Sequence, residues 1–142
     1  MTTFFEHQRA SYKRNYMRNL ICLATLDGKL DDAEINLIHK IGAKRGLKVW
    51  QINELIESPG NCEMFLPESM SNRMDLVYDL MQIVHIDNEV TDYETEFMMT
   101  IVEALNLQPE IVNQLMVMFH EGVPSIEEWK EFVSFTRECE KR

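Results

Sequence analysis

Two acidic stretches hold the residues best suited to chemistry. They read Leu26-Asp27-Gly28-Lys29-Leu30-Asp31-Asp32-Ala33-Glu34 and Ile86-Asp87-Asn88-Glu89-Val90-Thr91-Asp92-Tyr93-Glu94. Carboxylate oxygens gathered at a turn suit a hard cation such as Ca²⁺ or Mg²⁺, whereas zinc prefers nitrogen and sulfur. The candidate ligands are Asp27, Glu34, Asp87 and Glu94, with Asp31, Asp32, Glu89 and Asp92 as an outer acidic shell. The fragment D-G-x-Φ-x-x-x-E (Φ apolar) invites comparison with the second half of an EF-hand loop, where Gly is sixth and Glu twelfth. With Glu34 or Glu94 twelfth, the first position falls on Leu23 or Ile83, where the loop needs a carboxylate. These stretches are not EF-hands.

A second account competes for the same residues. Asp31-x-x-Glu34 and Thr91-x-x-Glu94 both match the capping box, in which Glu folds back onto the N-cap N–H. Gly28 and Asn88 tolerate positive φ at a helix end, and Leu30 and Val90 would plug the turns into a core. Capping leaves Asp27 and Asp87 unexplained. Each sits where a helix should end, facing the negative pole of the macrodipole at a cost of about 0.3–1 kcal/mol. A cation site and a purely structural acidic turn both remain open.

Catalytic constellations are missing. No Glu-x-x-His occurs, so the di-iron pattern of ferritin-like bundles is absent. There is no Gly-rich phosphate loop and no nucleophile elbow. Paired carboxylates could serve a glycosidase, but only Trp50 and Trp129 are available as sugar platforms. His85 stands two residues before Asp87 and could join the acidic site, yet a lone helical His more often packs; His7, His39 and His120 have no evident context. The expectation is a non-enzyme.

The elements that must position these turns are helices. Val77, Leu80, Met81 and Val84 recur at helical spacing, as do Phe97, Met98, Ile101, Val102 and Leu105. Helices are expected near 5–26, 32–45, 48–57, 72–86, 92–105, 108–120 and 125–139, the first breaking near Ser11 or Asn15. Gly46 and Asn106 suit left-handed positions after their helices, Pro109 a first turn, and Ser125 with Glu128 a capping box. The stretch from Ser58 to Ser71 is irregular and joins two halves. Ten methionines fit helix cores, although a Met-rich stripe can also form a binding groove.

The halves match without a gap at a shift of sixty residues. Identical pairs are Leu20/Leu80, Asp27/Asp87, Asp32/Asp92, Glu34/Glu94, Ile41/Ile101, Leu47/Leu107, Asn53/Asn113 and Leu55/Leu115. Unrelated amphipathic helices share apolar stripes easily, but not an acidic pair at the same spacing. The expected architecture is all-α: about seven helices in one domain spanning 1–142. Repeat one lies near 17–56 and repeat two near 77–116. An approximate two-fold would bring the acidic turns together, and a helix near 125–139 would cap the bundle.

Composition narrows the partners. The net charge of −10 repels nucleic-acid backbones unless basic groups cluster, and the one cluster, Arg9, Lys13, Arg14 and Arg18, is expected to be a solvated helix face. Cys22, Cys62 and Cys139 are odd in number and widely spaced, which suits packed thiols in a reducing compartment rather than a disulfide framework. No apolar stretch approaches the ~20 residues of a membrane span, and no targeting segment is visible. The expectation is a cytoplasmic protein that meets membranes only through a partner.

The motif A-x-x-D-G-x-Φ-x-x-x-E, as Ala24…Asp27-Gly28…Leu30…Glu34, leads into an amphipathic helix ending at Gly46-Leu47. It resembles the repeat unit of the TerB family of tellurite-resistance-type proteins, a unit also found as a cytoplasmic segment of some J-domain co-chaperones. The second copy, Ile86-Asp87-Asn88-Glu89-Val90…Glu94 through Asn106-Leu107, departs from it with Asn88 for Gly and Val84 for the small residue. Residues 17–118 are covered. The resemblance implies an all-helical duplicated fold, an acidic metal-binding surface and membrane-associated partners in a stress response. The matching acids are Asp27, Glu34, Asp87 and Glu94.

Overall fold

The computed structural model describes residues 4–25, 30–58, 60, 64–86 and 91–138. Among them are seven helices and no strand: α1 (Phe4–Ala24), α2 (Asp32–Lys44), α3 (Val49–Glu57), α4 (Met70–His85), α5 (Asp92–Ala104), α6 (Glu110–His120) and α7 (Ile126–Glu138). The chain divides into two compact units, Met1–Phe65 and Leu66–Arg142, and this boundary falls inside the irregular stretch expected to join two halves.

In the first unit α1, α2 and α3 pack against one another. Met17, Leu20, Ile21 and Leu23 from α1 meet Ile38 and Ile41 of α2 and Ile52 and Leu55 of α3 in the core. Gly42 lets α2 and α3 approach closely: a Cβ there would stand 2.6 Å from Ile52 Cδ1. The expected break in α1 does not occur. Asn15 spends its side-chain oxygen on the Arg18 guanidinium, at 2.8 Å, so it does not compete for backbone groups. The basic row is also less solvated than expected. Lys13, Arg14 and Arg18 are half-buried, and Lys13 Nζ would lie 2.8 Å from a Cβ built on Gly46 at the end of α2.

The cysteine reading needs correction. Cys22 is buried in the last turn of α1 and is disulfide-bonded. The other two cysteines, Cys62 and Cys139, lie outside the described residues. The argument from thiols to a reducing compartment therefore fails. A buried cysteine packs well either as a thiol or as half of a disulfide, so spacing alone could not separate the two.

In the second unit α6 packs on both α4 and α5. Its core holds Met74, Leu76, Val77, Leu80, Met81, Ile83 and Val84 from α4, with Met98, Ile101 and Val102 from α5. Ile111, Val112, Leu115 and Phe119 of α6 complete it. Helix α7 joins through an aromatic cluster: Trp129 stands edge-on to Tyr78 at 4.9 Å and to Phe119 at 6.1 Å, and stacks on Phe132 at 5.3 Å. The Tyr78 hydroxyl donates to the Pro124 carbonyl at 3.4 Å. Desolvation, and then the charge of Asp79, push the Tyr78 pKa above its ordinary value of 10.0.

Candidate functional site

Helices α2 and α5 begin with the same device. Asp31 precedes α2, and its Oδ1 accepts the Glu34 N–H at 2.7 Å while the Asp31 N–H donates to Glu34 Oε1 at 3.2 Å. Thr91 precedes α5; its Oγ1 accepts the Glu94 N–H at 3.1 Å, and both its N–H and its hydroxyl donate to Glu94 Oε1, at 3.0 and 3.1 Å. The expected capping boxes are formed. Each glutamate is also buried, at 8 % and 6 % exposure. That is unusual for a capping carboxylate, and the positive end of the helix offsets part of the desolvation.

The helices also end alike. Gly46 (φ +92°) donates to the Ala43 carbonyl and Leu47 to that of Gly42, at 3.1 and 2.9 Å. Asn106 (φ +64°) donates to Glu103 and Leu107 to Val102, each at 3.0 Å. Both are Schellman closures, with Leu47 and Leu107 buried as the hydrophobic partner. The Arg73 guanidinium adds a bond to the Leu105 carbonyl at 3.3 Å, at the negative pole of α5.

The proposed ligands are only partly placed. Asp27, Asp87 and Glu89 lie outside the described residues, as do Gly28, Asn88 and Val90. Asp31, Asp32 and Asp92 are exposed at their helix starts, where negative charge is favoured. The structure brings Glu34 to Asp31 and Glu94 to Thr91. Among the described residues, no group of three or more His, Cys, Asp or Glu side chains is arranged to hold a metal ion.

A feature the sequence reading missed is a cavity of about 490 Å³ in the second unit, lined by His85, Thr95, Asn113, Met116, Val117, His120 and Glu121. The His85 ring stacks on Phe119 at 5.9 Å, and its Nδ1 lies 3.1 Å from the Met81 carbonyl. In the neutral ring, that contact puts the proton on Nδ1 and leaves Nε2 as an acceptor. The α6 residues in the lining follow helical spacing (113, 116, 117, 120), a signal that was readable in advance. Its volume lies in the range of small-molecule sites. No family model, curated protein or solved structure matches this chain.

Proposed function

We propose that this chain is a non-catalytic, TerB-like helical protein whose two acidic turns bind a divalent cation, Ca²⁺ or Mg²⁺, and couple it to a membrane-associated protein partner. The observation that carries the reading is the pair of buried glutamates, Glu34 and Glu94, set sixty residues apart in matching capping boxes. Each follows an acidic turn of the same length, so each turn has a carboxylate held at its far end by the first turn of a helix.

Internal duplication, with repeats near 17–56 and 77–116, is part of the proposal. Helix α5 starts and ends sixty residues after α2, with the same closure at each end. Lys13 and Arg73 are sixty apart, and each reaches the C-terminal end of the helix concerned. Buried polar side chains recur at Asn19 and Asp79. Even core volumes are exchanged in kind: Gly42 against Ile52 in the first unit corresponds to Val102 and Val112 in the second.

A second reading has its own observation. The N-cap N–H groups occupy Oε1 of both glutamates, so the caps need no ion, and the cavity beside His85 offers a binding place for a helical interaction module. Thermal unfolding of metal-stripped protein against divalent cations separates the two. A bound cation should stabilise by about 2.7 kcal/mol at a hundredfold excess over Kd. The proposal expects a shift with Ca²⁺ or Mg²⁺ that Asp27→Asn with Asp87→Asn removes. No shift with any cation would leave the turns as caps and the interaction module as the working account.

A further inference from the structure

One face of α1 holds down the chain that follows α3. Asn19, 2 % exposed, clasps the backbone of Phe65 in both directions: its Nδ2 donates to the Phe65 carbonyl at 2.7 Å, and its Oδ1 accepts the Phe65 N–H at 3.1 Å. Two turns earlier, the Tyr12 ring meets the Phe65 ring edge-on at 5.2 Å, and Tyr16 lies beside Tyr12 at 6.0 Å. Tyr12, Tyr16 and Asn19 follow the i, i+4, i+7 spacing of a single helix face. Cys22 comes next on that face, one turn beyond Asn19; it is buried and disulfide-bonded.

We propose that Cys22 is joined to Cys62, and that this bond is a redox-sensitive clasp fixing the connector after α3 to α1. The assignment rests on reach. Phe65 is pinned at Asn19, and Cys62 precedes it by three residues, a span of at most about 11 Å. Side chains three residues apart on a helix are about 5–6 Å from each other at Cβ, and a disulfide needs Cα atoms within about 7 Å. The third cysteine, Cys139, has no such tether; it follows α7 in the second unit. The site is distinct from the acidic turns and does not depend on their binding a cation.

The switching step is thiol–disulfide exchange with a dithiol reductant. The S–S bond of Cys22 breaks and accepts two electrons and two protons to give two thiols, while the reductant closes its own disulfide. What then holds the connector is the Asn19 amide pair and the Tyr12 ring contact, both non-covalent. The Phe65 N–H, donor to Asn19 Oδ1, reports directly on that hold.

Tryptic mapping of protein alkylated without reduction tests the pairing, after equilibration in an oxidising glutathione buffer. The expected product joins the peptide 19–29, which contains Cys22, to 49–73, which contains Cys62; Cys139→Ser should leave it unchanged. A link to 138–141, or free Cys22 and Cys62, overturns the assignment. Amide exchange of Phe65 by NMR tests the clasp on the same chain, oxidised and then reduced, so no variant has to fold. Reduction should speed that exchange by about tenfold or more through local opening. An unchanged rate would show that the bond holds nothing the amide pair does not, and would overturn the device.

Discussion

At the scale of single residues, the N-caps decide where α2 and α5 start. Asp31 and Thr91 differ in charge but do the same job, because either side chain puts an oxygen within reach of the N3 amide. Replacing either by Ala should lower unfolding free energy by about 1 kcal/mol. Chemical denaturation reads the loss, and hydrogen exchange should place the first effect of Thr91→Ala at the start of α5. Serine at either position should restore most of the stability. The cap letters were legible in the sequence; the burial of Glu34 and Glu94 was not. Burial depends on what packs over the helix start, and a capping box has the same sequence on a surface as in a core.

At the scale of elements, the contact of α2 with α3 depends on the missing side chain at Gly42. The nearest atoms belong to Ile52, which is 1 % exposed and has little room to move. Gly42→Ala should therefore destabilise by about 1–3 kcal/mol through overpacking, even though Ala is the better helix former. Adding Ile52→Val removes the Cδ1 methyl that the new Cβ would meet, and should recover part of the loss. A double-mutant cycle measured by urea unfolding gives the coupling; additive losses would mean that the two positions do not share this space. Helix ends were readable at Gly46 and Asn106, where the left-handed turn favours Gly or Asn. The start of α4 was placed two residues late. Periodicity marks the buried stripe, whereas the helix begins at Ser69, whose Oγ accepts the Asn72 N–H at 3.1 Å.

At the scale of the whole molecule, a net charge of −10 repels itself and draws in any cation. Sodium chloride raised to ~0.15 M screens charges beyond about 8 Å. It should therefore increase the melting temperature of the parent protein and of the Asp27→Asn, Asp87→Asn variant, the latter less because it carries less charge. A divalent cation compared at equal ionic strength should add stability only to the parent if the turns bind it. Equal gains in both proteins would reduce the cation effect to screening. No helix among the described residues is long and apolar enough to cross a membrane, so a membrane partner would be met through a surface.

The sequence by itself determined the all-helical class, the places where most helices begin and end, and the sixty-residue correspondence of their caps. These are local properties: an N-cap oxygen, a left-handed residue or an apolar stripe acts within a turn or two of its own position. Tertiary structure alone decided that Glu34 and Glu94 are buried, that His85 and His120 line one cavity, and that Asn19 holds Phe65. It also decided that Cys22 is oxidised. Each of these brings together groups far apart along the chain, and which distant segments meet depends on how the helices pack.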